Sequence, residues 1–212
     1  MDAGNISAII SAAAVISGVI LGNLSVAVKE YVVGRRTRKK DTVYLAILVV
    51  SHLDRLANDC LDVAEDDGTE YGQPAGSNGE QYVPTTAPPE FRPLDISVDW
   101  KLLPRDLLYP ILRLPDQLDQ LQSRLAGITK YECDYPDHTE YFWVRRREHA
   151  DLGLQAIGLA QKLRKHSGLP IEEPKPSEWS REQGLRDVIK YIDDKREAYR
   201  RQALENPLDL SF

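Results

Sequence analysis

The sequence has few of the residues that usually build catalytic and metal centres. It contains two cysteines, Cys60 and Cys133, 73 positions apart, and four histidines without an HExxH motif. Cysteines with no metal-ligand spacing around them indicate free thiols in a reducing compartment, with one disulfide as the alternative. A glycine-rich phosphate loop and a GxSxG nucleophile motif are also absent. The sequence therefore predicts no catalytic residue, no cofactor and no metal site.

Acidic residues cluster at two places in the sequence. The first, before Gly68, does not fit a calcium loop, because the fifth position before that glycine is Val63. It is interpreted as the solvated end of a helix. The second combines acids with histidines and is interpreted as helix capping and surface charge, with a metal or acid–base site as the alternative. The groups are Asp59, Asp62, Glu65 and Asp66, and Asp134, Asp137, His138, Glu140, Glu148 and His149.

Charge is also absent from a long stretch near the N-terminus. Ile6 to Val28 is 23 residues without a charge, and eleven of them are Ile, Val or Leu. At about 1.5 Å per residue, a helix of this length matches a hydrocarbon core of about 30 Å. A signal peptide or a mitochondrial presequence needs basic residues that the first five positions lack. The sequence predicts a transmembrane helix over 6–28, preceded by an extracytoplasmic segment, 1–5.

Basic residues follow this stretch directly. They form a juxtamembrane segment, 29–41, predicted to contact anionic lipid headgroups and, by the positive-inside rule, to lie in the cytoplasm. From Thr42 onward there are 21 basic and 30 acidic residues, a net charge of −9, which disfavours nucleic acid as a partner. The predicted localisation is the inner membrane, single-pass, with the N-terminus outside. The headgroup residues are Lys29, Arg35, Arg36, Arg38, Lys39 and Lys40.

Small residues recur every three or four positions within the predicted span. That spacing aligns them on one helix face, and Gly18 and Gly22 form a GxxxG, which lets two helix backbones approach closely in lipid. The stripe predicts association with a second copy or with another membrane protein. Its members are Ser7, Ser11, Ala14, Gly18, Gly22 and Ser25.

The remainder, 42–204, predicts an all-α cytoplasmic domain, a four-helix antiparallel bundle with a C-terminal tail, 205–212. The first helix covers about 29–65 and is either separate from the span or continuous with it. A short helix from Pro104 and a second from Pro115 to Gly127 follow, then helices over about 139–167 and 177–204. A long loop with five prolines, 68–99, is either functional or a linker. Its aromatic residues, Tyr71, Tyr82 and Phe91, with Trp100, indicate that part of it packs on the bundle.

Two functions remain from different classes. The favoured one is a membrane-tethered, non-enzymatic interaction or scaffold protein of a bacterial inner membrane, with an accessory or effector role in a stress or phage-defence system as one case. The alternative is a membrane-anchored enzyme or ligand sensor with its site between the 68–99 loop and the start of the third bundle helix. Arg145, Arg146 and Arg147 either balance surplus carboxylates or hold a phosphate or a partner's acidic strip.

Overall fold

The computed structural model describes residues 3–131, 137–171 and 179–205, and the side chains among them other than those of residues 3–27 and 203. This part of the chain is mostly α-helical, as predicted. Four long helices follow in order: α1, Ala3–Glu65; α2, Arg105–Tyr131; α3, Thr139–Ser167; and α4, Arg181–Glu205. The chain divides into two compact units, Met1–Tyr44 and Leu45–Phe212.

α1 is 63 residues long, so the predicted bundle helix and the predicted span belong to one uninterrupted helix. Among the described residues, no helix combines the length and the apolar character needed to cross a membrane. The side chains of the predicted span, except that of Val28, lie outside the described part of the chain. The extracytoplasmic segment and the tail lie largely outside it as well.

In the second unit, the helices pack with alternating direction. Gln117 of α2 contacts Gln155 of α3 and Arg124 contacts Glu148, so residue numbers rise on one helix as they fall on the other. Arg147 and Glu140 of α3 contact α4 with the same inverse order, through Asp193 and Arg196. The prediction of an antiparallel helical bundle is confirmed for this unit.

The core of this unit is built from apolar side chains at helical spacing on its helices. Leu114, Leu118, Leu121 and Leu125 of α2 are buried, as are Ile157, Leu159 and Leu163 of α3. On α4, Leu185 and Ile192 are fully buried, whereas Val188 and Ile189 are half-buried at its edge. His52 of α1 is exposed.

The predicted break in α2 is wrong. Pro110 and Pro115 both lie inside one continuous helix, which also passes Gly127 and ends at Tyr131. Each proline removes one backbone hydrogen bond, a cost that tertiary packing can offset. Leu107, Ile111 and Leu114 are buried around the two prolines and hold the helix against the core.

The long loop has local structure of its own. A two-stranded antiparallel hairpin, β1 (Thr69–Glu70) and β2 (Gln73–Pro74), is followed by short 3-10 turns at Pro93–Asp95 and Trp100–Leu102. Phe91 and Ile96 are buried, and Tyr82 and Trp100 are half-buried, so part of the loop packs on the bundle as predicted. Tyr71, by contrast, is fully exposed.

Candidate functional site

The end of α1 and the start of α3 meet at a buried carboxylate. Asp66 directly follows α1, and Arg145 lies in the second turn of α3. Arg145 Nη1 donates to Asp66 Oδ2 at 2.8 Å, and the two side chains are 3% and 1% exposed. Arg145 Nη2 also donates to the Thr86 carbonyl at 2.6 Å. One guanidinium therefore joins α1, α3 and the long loop.

The Asp66 carboxylate accepts four further hydrogen bonds. The backbone N–H groups of Thr85 and Thr86 donate to Oδ2, while the Gly68 N–H and the Thr85 hydroxyl donate to Oδ1, all at 2.9–3.0 Å. Burial raises the pKa of Asp66, but these hydrogen bonds and the Arg145 charge outweigh it and hold the pKa below its usual range. A carboxylate so fully occupied is a structural clamp and is not free to act as a base or metal ligand.

Arg146 completes this junction. Its Nε donates to the Ala64 carbonyl at 2.9 Å. The last carbonyls of a helix have no partner inside it, and α1 has no basic residue in its last turn. Two consecutive arginines of α3 therefore supply the positive charge that favours this helix end.

Gly68 fits this junction for two reasons. Its φ of +81° lies in the left-handed region that side chains disfavour. A Cβ built there would also lie 2.4 Å from the ring atom Cζ of Phe142. The start of α3 thus packs directly on the backbone where the loop leaves α1, and Gln81 Nε2 lies 3.0 Å from His138 Nε2 nearby.

His149 lies one turn beyond Arg145 and is completely buried. Its Nδ1 lies 2.7 Å from the Arg145 carbonyl, and its Nε2 has no hydrogen-bond partner among the described atoms. Burial is the main cause that lowers the pKa of His149 to about 4. The imidazole is therefore neutral at pH 7, with Nδ1 donating to the carbonyl oxygen.

The structure separates the other charged groups that the sequence singles out. Glu140 pairs with Arg196 of α4, Glu148 faces Arg124 of α2, and Asp137 is exposed. Asp134 lies outside the described residues. The interpretation of Asp66 as part of a solvated helix end is wrong, because the loop and Arg145 cover it, whereas Asp62 and Glu65 are exposed. No group of three or more candidate ligands among the described residues is arranged to hold a metal ion.

The three consecutive arginines near the start of α3 contact carboxylates, a carbonyl and a ring. Arg145 binds Asp66, Arg147 binds Asp193 at 2.7 Å, and Arg146 also lies over the Tyr191 ring. For Arg145 and Arg147 this agrees with the first of the two alternatives, that the arginines balance surplus carboxylates. Arg145 and His149 were missed as core residues, although the Leu152–Ala156–Leu159–Leu163 stripe, extended backward at the same spacing, passes through both positions.

The predicted membrane residues all lie on α1. Lys29, Arg35, Arg36, Arg38, Lys39 and Lys40 are exposed. The backbone of the small-residue stripe is helical, while the side chains of Ser7, Ser11, Ala14, Gly18, Gly22 and Ser25 lie outside the described ones.

Several surface grooves lie between the described helices of the second unit. One of about 440 Å³ lies between the start of α3 and the end of α4, lined by Trp143, Tyr199, Arg196 and Arg200 among others. Two of about 360 Å³ run between α2 and α3 and share Gln117 and Gln155. A smaller one of about 260 Å³ adjoins Asp54, which binds both Arg164 and Arg181.

Fold and junction together define a helical-bundle protein whose long loop is clamped by a buried ion pair. No protein family, curated protein or solved structure matches the chain.

Proposed function

We propose that this chain is a membrane-tethered, non-enzymatic scaffold of a bacterial inner membrane. The observation that carries the proposal is the uncharged stretch from Ile6 to Val28, followed at once by six basic residues. A helix of 23 residues is about 34 Å long, enough to cross a bilayer. The basic residues are exposed and available to anionic headgroups.

The bundle supports a binding role more than a catalytic one. In the part of the chain that the structure describes, the buried Asp66 and Arg145 side chains are saturated with internal hydrogen bonds, so neither is free for chemistry. The bundle's exposed surface includes several large aromatic side chains, among them Tyr109, Tyr131 and Trp179. Exposed aromatic side chains are the residues most enriched at protein–protein interfaces. The proposal includes, as one case, an accessory or effector role in a stress or phage-defence system.

Fractionation of the full chain tests the tether. The wild-type chain should remain in the membrane pellet after alkaline carbonate extraction. Val19→Arg combined with Ile20→Arg places two charges at the centre of the span, each costing about 2.5–3.5 kcal/mol of insertion free energy, and should release the chain. Val19→Leu with Ile20→Leu is the matched control and should behave as wild type. Release of the wild-type chain by carbonate contradicts the proposal.

Reporter fusions test orientation separately. A cytoplasmic reporter after residue 212 should be active, and a periplasmic reporter at the same place should be silent. Replacing Arg35, Arg36 and Arg38 with glutamate should weaken this preference, because the basic flank determines it. A periplasmic C-terminal reporter that is active in the wild-type chain overturns the proposed topology.

One observation favours a ligand sensor as the second candidate. In the groove between α3 and α4, Arg196 lies over the Trp143 ring and binds Glu140, yet its Nε is buried without a hydrogen-bond partner. An acidic ligand there would meet Arg200 and the aromatic edge of Trp143 and Tyr199, with the carboxylates of Asp137 and Glu140 also in the lining. Binding of small dicarboxylates or nucleotides that is lost in Trp143→Ala, measured by calorimetry, would support the sensor. No binding, in a chain that melts normally, excludes it for those ligands.

A further inference from the structure

The β1–β2 hairpin has an unusual tip. Glu70 pairs with Gln73, so Tyr71 and Gly72 form a two-residue connection, with φ of +50° and +77°. Positive φ at both positions defines a type I′ turn, which favours Asn-Gly. A tyrosine at the first position is disfavoured by its Cβ, and here its side chain is 102% exposed. The strained tyrosine therefore packs against none of the residues that the structure describes.

The hairpin is held firmly at its base. The Ala75 N–H donates to the Gly68 carbonyl at 2.9 Å, and Gly68 packs under Phe142. Gly68 also donates to the buried Asp66 carboxylate. A tip presented on such a base loses little conformational entropy when it binds. Strain at an exposed aromatic tip, on a fixed support, is the arrangement expected of a binding residue.

The tip is also acidic. Asp67 and Glu70 are exposed beside Tyr71, and the residues from Asp66 to Gln81 contain no basic side chain. A surface that receives this hairpin must therefore offer an apolar space for one ring, with positive charge at its rim.

One of the two grooves between α2 and α3 has this chemistry. It has a volume of about 360 Å³, Pro110 and Leu159 contribute apolar surface, and Arg113 and Lys162 are its only charged lining residues. At Gly158 a Cβ would meet nothing within 4 Å, so the glycine leaves open space between the helices. Tyr109, 62% exposed, lines the same groove and offers an aromatic face to a second ring.

We propose that Tyr71 of one copy inserts into the α2–α3 groove, over Gly158, of a second copy of this chain. The inference rests on the proposed scaffold function, and it names the surface through which the cytoplasmic bundles assemble. Glu70 then faces Arg113 or Lys162 across the contact. Hairpin and groove are different surfaces, so the contact is heterologous and can extend a row or close a ring of copies.

Cysteine cross-linking in membranes tests the contact. Two differently tagged full chains are co-expressed, one with Gln73→Cys beside the tip and the other with Gln155→Cys in the groove, both lacking Cys133. Native Cys60 can remain, because burial raises its pKa to about 12 and shields the thiol. A short thiol cross-linker should give a product carrying both tags. In the control, the second chain carries Ser51→Cys, at an exposed position of α1, instead of Gln155→Cys. This control should give at least ~10-fold less product.

Variants of the hairpin tip and of the groove rim then test which side chains are responsible for the cross-linked product. Tyr71→Asn should reduce the product at least ~10-fold without lowering the melting temperature, since Asn-Gly suits the turn and one anchor residue commonly accounts for a factor of this size. Arg113→Glu or Glu70→Arg alone should reduce it, and the two together, one in each chain, should restore it. Equal product with the Ser51→Cys control, or with Tyr71→Asn, overturns the inference.

Carbonate extraction of the same membrane samples separates a failure of the hairpin contact from a failure of the membrane tether. A carbonate-resistant chain without the specific product rejects the hairpin contact and keeps the tether. A specific product in a chain that carbonate releases keeps the contact and rejects the tether.

Discussion

Arg145 and Asp66, 79 positions apart in the sequence, form an ion pair of 2.8 Å in which both side chains are almost completely buried. The pair joins three segments: the end of α1, the Thr85–Thr86 backbone and α3. A buried pair adds little net stability over an apolar replacement, but removing one partner leaves a buried charge unpaired. Its presence here fixes where the long loop attaches.

Asp66→Ala should therefore destabilise the bundle by about 3–5 kcal/mol, because it leaves Arg145 and several backbone donors without their acceptor. Urea unfolding of the full chain, followed by circular dichroism, measures the effect. Glu90→Ala is the matched control, since Glu90 pairs with Arg92 at the surface and its loss should change stability by less than about 0.5 kcal/mol. Equal midpoints for the two variants would show that the buried pair contributes no more than an exposed one.

Gly68→Ala should destabilise the same junction for steric reasons. The new Cβ would combine an unfavourable positive φ with a 2.4 Å clash against Phe142, so a loss of at least about 2 kcal/mol is expected. Gly79→Ala separates the two causes, because Gly79 also has positive φ, +67°, but open space at its Cβ. If the two variants have the same thermal midpoint, contact with Phe142 is not what requires a glycine at position 68.

The sequence predicts the helices of the bundle well and its polar junction poorly. The stripe from Leu114 to Leu125 depends on neighbours three and four positions apart, which a linear pattern contains. The Asp66–Arg145 pair depends on the path of the loop between them, which no local pattern specifies. The prolines of α2 mislead for a related reason: local chemistry predicts a break, while burial of Leu107, Ile111 and Leu114 from distant segments keeps the helix continuous.

His149 makes stability depend on pH in a defined window. Its folded pKa of about 4 lies below the value of about 6.5 for an exposed histidine, so between these values the unfolded chain binds the proton first. The free energy of unfolding should fall by about 3 kcal/mol as pH drops from 6.5 to 4. Asp66 affects stability at lower pH than His149 does. Its stabilisation is fully present above the unfolded carboxyl pKa of about 4, and it is lost as the pH falls through the depressed folded pKa.

His149→Leu provides the matching variant. It keeps an apolar volume in the core and removes the unpartnered Nε2, the nitrogen that takes up the proton. Chemical unfolding at half-unit steps from pH 7 to 4 should show a flatter profile for this variant than for the parent. Parallel profiles would assign the acid sensitivity to other groups.

The small-residue stripe of the proposed span should promote self-association of the chain in a bilayer. Residues Ser7 to Ser25 at helical spacing give one face without bulky side chains, and GxxxG spacing at Gly18 and Gly22 permits close backbone contact in lipid. Replacing both glycines by isoleucine keeps the segment apolar, so carbonate resistance should be unchanged, while the added side chains hold two helices apart. Self-association of the full chain in bilayers, measured by energy transfer between labelled copies, should fall in Gly18→Ile/Gly22→Ile. Val15→Ile with Val19→Ile adds bulk off the stripe and serves as the control, with wild-type transfer expected. Equal transfer in all three chains would mean that the small residues reflect composition alone, and any assembly of the bundles would then depend on their cytoplasmic surfaces.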